Sequence, residues 1–357
     1  MNEMNELSNI LTDQVNRLLG EQVDKPTQEA AEAGDWPEAL WQQVEENGLP
    51  RVLVPEDRGG VGGGWVEAQA VLRAAGRYQA PIPLAEAVLA GWLLSQAELD
   101  MPDGVVGIAP VRREEVLELR RDGDGWRLSG TATRVPWANR AGHLAVLAQH
   151  QGDSYVALVE AGNWSSEADS NIAAEPRNTC RFDNAAVLDA ARVELPADAL
   201  YSAGALARAT QIAGALEFLL EESVTYANDR VQFGKAIGKF QAVQQELARL
   251  AGEVAAAGAA AESAAHAMDR AATFGDAGFE IAVAKIRASE AASIATSIAH
   301  QAHGAIGFTY EHALHFATRR LWSWRAEFGS ETYWSERLGR ELAGRGADAL
   351  WPYLAER

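Results

Sequence analysis

Hydrophobic residues in the first hundred positions recur at helical spacing. Leu7, Ile10, Leu11, Val15, Leu18 and Leu19 share one face. Trp36-Pro37 opens another helix, with Leu40, Trp41 and Val44 together and Gly48 placed to stop it. A further helix is expected from Trp65 to Tyr78, after the glycine-dense turn Val52 to Gly64. Glycines before a helix start can cradle phosphate, but this turn lacks the P-loop lysine and the dinucleotide spacing. It reads as a joint between helices.

From Val105 to about Leu195 the period shortens. Val116 to Arg120, Trp126 to Ser129, His143 to Ala148, Ser154 to Glu160 and Ala186 to Leu188 are short runs rich in strand formers. Asp122-Gly-Asp-Gly125 and Gln151-Gly-Asp153 supply hairpin turns, so the strands should pair antiparallel. After Asp198 the helical period returns, rich in alanine. Ala203 to Arg230, Gln241 to about Ala272, Phe279 to Ala302, Tyr310 to Phe328 and Glu331 to Leu342 read as helices, with Gly329 stopping the fourth. The fold class is therefore an α+β multidomain chain. A helical domain spans 1–104, an antiparallel β-domain 105–197 and a helical bundle 198–357.

Composition narrows the function. The chain has 357 residues, 48% of them hydrophobic, enough for several sizeable cores. Fifty acidic against 31 basic residues give a net charge of −19, which argues against binding nucleic acid. Cys180 is the single cysteine, so an internal disulfide is excluded and a cysteine-built metal site is not expected. The amino terminus lacks the basic start and apolar core of a secretion signal, and Ala80 to Leu94 is too short to span a bilayer. A reduced, cytoplasmic protein is expected. His300, His303, His312 and His315 have no carboxylate or cysteine neighbours in sequence to complete a metal site, and none is expected.

The densest chemistry lies in Arg230-Val-Gln-Phe-Gly-Lys-Ala-Ile-Gly-Lys-Phe-Gln-Ala-Val-Gln244. A guanidinium beside a flat ring and a helix start suits a ligand that joins a diphosphate to an aromatic ring system. Together with Gln301-Ala-His-Gly-Ala-Ile-Gly-Phe-Thr309, it resembles the C-terminal domain of the acyl-CoA dehydrogenase family of flavoproteins. The order of helical, β and helical regions resembles that family over the whole chain. The resemblance implies FAD, with Arg230, Gln232, Phe233, Gln241, Gln301 and Gly304 as contacts to the flavin of a neighbouring subunit. Ala305 stands where the family has a second glycine, and its methyl narrows the approach of a phosphate.

Dehydrogenation of an acyl-CoA needs a carboxylate base beside the α-carbon. Counting on from Arg320, the family's glutamate position falls on Gly329; its alternative position, on the helix before Arg230, falls near Gly204. Neither carries a base. Glu327 and Glu331 flank the first and read as solvated helix-end charges. Gly107 to Arg112 and Gly130 to Trp137 replace the family's flavin- and thioester-holding segments, with Thr133 and Trp137 as remnants. The pattern resembles the subunit without the catalytic glutamate in heterotetrameric, steroid side-chain type dehydrogenases. That resemblance implies a partner subunit carrying the glutamate and most of the acyl-CoA pocket, with an electron-transfer flavoprotein as acceptor. Two alternatives stay open: an active homo-oligomer with Glu327 or Glu331 as a relocated base, and a flavin-free scaffold.

Overall fold

The computed structural model describes residues 2–355. The amino-terminal part is five helices: α1 (Asn2–Gln22), α2 (Lys25–Glu32), α3 (Glu38–Glu46), α4 (Trp65–Arg77) and α5 (Leu84–Gln96). In α1 the expected face is buried at Leu11, Val15, Leu18 and Leu19, while Ile10 turns outward. Buried on nearly every side, α5 explains why its apolar run has no helical stripe. The exposed N–H groups at the start of α4 are already taken, Trp65 and Val66 donating to the Asp269 carboxylate at 2.6 and 3.0 Å.

Eight strands form the middle sheet: β1 (Val106–Ala109), β2 (Glu118–Asp122), β3 (Gly125–Pro136), β4 (His143–His150), β5 (Asp153–Glu160), β6 (Ser165–Glu167), β7 (Arg177–Ala186) and β8 (Asp189–Arg192). The order is β6-β7-β3-β2-β4-β5-β8, with β1 against β4. The two expected hairpins form, but the sheet is mixed, not wholly antiparallel. β1 lies parallel to β4, and β2 touches β4 in parallel as well, because the β2–β3 hairpin intervenes in the chain. Of Ala186 to Leu188, only Ala186 is strand, the last residue of β7; Val187 and Leu188 form the turn into β8, and Leu188 is exposed.

The carboxyl-terminal helices are α6 (Ala199–Asp229), α7 (Gln241–Arg270), α8 (Gly278–His303), α9 (Leu314–Trp324), α10 (Glu331–Arg345) and α11 (Ala347–Ala355). A two-stranded hairpin, β9 (Val231–Gln232) and β10 (Lys235–Ala236), separates α6 from α7. α4 crosses α6 at Gly76 and Gly214, where any side chain would overlap the backbone of the other helix. That close crossing joins the amino-terminal helices to the bundle. No helix among the described residues is long and apolar enough to cross a membrane.

Candidate functional site

A cavity of about 790 Å³, larger than the others described below, lies where α6 ends, α7 begins and α8 ends. Its rim is built by the hairpin turn Phe233-Gly234, with φ of 51° and 78°, the combination a tight two-residue hairpin needs. Glycine adopts it freely; phenylalanine does so at a steric cost, and the Phe233 ring is 91% exposed. Strain and exposure at one aromatic residue mark a surface shaped for contact.

Arg230, Gln232, Phe233, Gln301 and Gly304 all line this cavity, brought together from two distant segments. Gln241 does not. It is the exposed first residue of α7, and Ala242 and Val243 of that first turn face the cavity instead. Phe240 precedes α7 and contributes no side-chain cap, so the N–H groups of a 30-residue helix remain open at this end. The Arg230 guanidinium has no ion pair among the described residues. Ile237, Phe240, Leu247 and Ile298 make an apolar wall. A free guanidinium, an uncapped helix start and two amide side chains beside that wall fit a diphosphate joined to flat rings. Gly304 has φ of 62° and open space where a Cβ would project; the Ala305 methyl lies on the wall.

The second cavity, about 350 Å³, is lined by Arg112, Arg134, Arg177, Tyr201, Glu327 and Phe328, among others. Gly204 and Gly329 meet beside it, both packed under aromatic rings. A side chain at Gly204 would overlap the Phe328 ring. At Gly329, φ is 96° and a Cβ would lie 2.5 Å from Trp334 Nε1 and 2.8 Å from Tyr333 Cδ1. Trp334 is locked there, donating its indole N–H to the Phe328 carbonyl at 2.9 Å and stacking on Tyr201. Gly329→Glu is therefore expected to supply no base and to cost about 2–5 kcal/mol from backbone strain and overpacking. Chemical denaturation of the variant measures it.

Glu327 is not a solvated helix-end charge. Its carboxylate accepts from Arg177 Nε at 2.8 Å, Arg208 Nε at 2.8 Å and Asn171 Nδ2 at 3.2 Å. Arg177 also bonds Glu175 at 2.9 Å, and Arg208 bonds Glu86 at 2.6 Å. Arg320 lies 3.2 Å from Glu175, so three arginines balance three glutamates in the interior. Burial pushes the Glu327 carboxyl up, but Arg177 and Arg208 hold it well below the usual carboxylate range. A carboxylate bound that firmly is a poor base. Glu331 begins α10 and pairs with Arg325 at 3.1 Å. Thr133 and Trp137 have structural tasks: the Thr133 N–H donates to Glu115 at 3.0 Å, and Trp137 packs edge-on against Trp36.

The histidines do have a carboxylate neighbour, contrary to the sequence reading. Glu222 of α6 lies 3.5 Å from His312 Nε2, and with His303 these three offer ligand atoms all within 4.8 Å of one another. The 80 residues between Glu222 and His303 hide the grouping in the sequence.

Comparison with known proteins places these features. Residues 5–97 match the description "Acyl-CoA dehydrogenase, N-terminal domain" and 200–342 "Acyl-CoA dehydrogenase, C-terminal domain". The chain is 30% identical to acyl-CoA dehydrogenase FadE27 of Mycobacterium tuberculosis, over 85% of this chain and 88% of that one. It is 28% identical to acyl-CoA dehydrogenase IpdE2 of the same organism, over 87% and 89%. Among solved structures, the ChsE4-ChsE5 complex of M. tuberculosis superposes with a TM-score of 0.87 at 26% identity, over 96% of this chain and 98% of that one. The Tcur3481-Tcur3483 steroid ACAD G363A variant shares the fold at 0.86 and 24%, over 96% and 99%.

Proposed function

The chain belongs to the acyl-CoA dehydrogenase family, and from that premise we propose that it is the subunit of a mixed oligomer that lacks the catalytic base. In this reading the partner subunit supplies the glutamate and most of the acyl-CoA pocket. The present chain closes over the partner's FAD with Arg230, Gln232, Phe233, Gln301 and Gly304. A bound flavin would supply the hydride acceptor for α,β-dehydrogenation. Arg230 and the open start of α7 would hold its diphosphate, and Phe233 would cover the joint from solvent.

One observation carries the reading: Gly329 and Gly204, at or near which counting along the sequence puts the family's base, each pack against an aromatic ring. The cavity beside them agrees, since Arg112–Glu114 and Arg134–Asp169 pairs of 2.6–2.8 Å, together with the Glu327 network, occupy its walls. The larger cavity keeps the opposite character, an arginine without an ion pair among the described residues and a largely exposed ring. Likeness to a two-protein complex, ChsE4-ChsE5, supports a heteromer, and the steroid named for the second solved neighbour supports a bulky acyl chain. An electron-transfer flavoprotein is the electron acceptor that fits this role.

An activity assay separates this reading from an active homo-oligomer. The chain purified alone should not reduce an artificial electron acceptor when offered saturated acyl-CoA thioesters. Co-expression with a family member that retains the glutamate should restore turnover. Steady turnover by the chain alone refutes the assignment.

A further inference from the structure

We propose that Glu222, His303 and His312 form a binding site for one divalent transition-metal ion of the zinc class, beneath the larger cavity. The inference concerns this chain's own fold and does not depend on a partner subunit or a flavin.

The case begins with His303. It is 3% exposed at the end of α8, and its Nδ1 donates to the Ala299 carbonyl at 2.8 Å. That bond places the proton on Nδ1 and leaves Nε2 as a lone pair. Nε2 is buried and has no hydrogen-bond partner. A buried imidazole with an orphaned lone pair is costly. An imidazole whose other nitrogen is held by a backbone carbonyl is also the arrangement that metal-binding histidines adopt. Tyr226 stacks on the ring at 4.4 Å and fixes its plane.

Two further potential ligands lie close to His303. His312 comes from the loop before α9, its ring centroid 4.8 Å from that of His303. Glu222 comes from α6, with Oε1 3.5 Å from His312 Nε2. Tetrahedral zinc with bonds of about 2.0–2.1 Å needs ligand atoms about 3.4 Å apart. The Glu222–His312 pair already has that spacing, and the widest separation, 4.8 Å at most, closes with a shift of about 1.4 Å. His312 Nδ1 now accepts from the Leu314 N–H at 3.2 Å. Ligation through Nε2 moves the ring proton to Nδ1 and gives up that single neutral hydrogen bond, a small loss beside the affinity of a transition-metal site.

Two histidines and one carboxylate favour zinc or its first-row neighbours over magnesium or calcium, which prefer all-oxygen sites. Three protein ligands leave a position for water. Glu222 also lines a separate cavity of about 380 Å³ with Lys25, Thr225 and Ala313, which gives an ion a way in. A bound ion would tie α6, α8 and the 304–313 segment together directly under Gly304.

The test uses the full chain, free of any histidine tag and stripped with a chelator. Zinc chloride is titrated by calorimetry, and cobalt(II) serves as a spectroscopic probe. About one zinc per chain and cobalt d–d bands of a low-coordinate nitrogen–oxygen site are expected. Glu222→Gln and His312→Asn should each weaken zinc binding at least tenfold. Circular dichroism of both variants checks that the fold is kept, and loss of binding without loss of fold supports the site. No stoichiometric zinc uptake by the intact chain, or uptake unchanged in both variants, overturns it.

Discussion

Glu327→Gln should lower stability by about 3–5 kcal/mol while leaving the chain no less active than before. The loss arises because Glu327 neutralises two interior arginines at once, Arg177 and Arg208, each at 2.8 Å. Removing one member of a buried ion network leaves an uncompensated charge in the interior, the costly case. Arg208 is 2% exposed and cannot recover the loss from water. The effect depends on pH in a definite direction. The folded-state pKa of Glu327 is depressed, so its stabilisation is complete above the unfolded carboxylate range of about 4–5 and declines as pH falls through and below it. The stability gap between the parent chain and the glutamine variant should therefore be widest near pH 7 and shrink toward pH 3. Urea unfolding across that range measures it. If Glu327 were a relocated base, the variant would lose turnover as well as stability.

Arg230→Ala should empty the cofactor site of the mixed complex without unfolding the chain. Arg230 lies at the end of α6 and carries no ion pair among the described residues, so its removal strands no buried partner in the free protein. In the complex the same truncation removes a charge-assisted contact to a diphosphate, worth about 2–5 kcal/mol, or roughly 30- to 5,000-fold in flavin affinity. Flavin fluorescence of the complex after gel filtration reads the loss. A flavin-free scaffold would show no difference between the two proteins.

The sequence revealed those parts of the molecule whose determinants are local. The start of α7 is written in neighbouring residues, and the cavity there is lined by five of the six residues singled out. Gln241 lies outside that cavity, because the motif gives a residue's position but not the direction of a helix's first turn. The Glu327 network was invisible for a different reason. Its members come from α5, β7, α6 and the segment after α9, and no periodicity connects Glu86, Arg177, Arg208 and Glu327. The Glu222–His303–His312 grouping was hidden in the same way. β7 escaped notice because its buried positions, Asn178, Cys180 and Phe182, are not uniformly apolar. The parallel pairing of β1 with β4 is a property of connection order, which strand-forming residues do not encode.

Gly204 and Gly329 illustrate a different relation between sequence and structure. Their lack of a carboxylate is read directly from the sequence; only the packing of Phe328, Tyr333 and Trp334 shows that the space is closed as well.

The most direct measurement is the number of flavins per chain in the oligomer formed with a glutamate-bearing partner, read by native mass spectrometry and flavin absorbance on the same sample. A subunit that only completes its partner's site should give one flavin for each pair of unlike chains and none when purified alone. One flavin for every chain, or a yellow and active oligomer of this chain by itself, would contradict that division of labour.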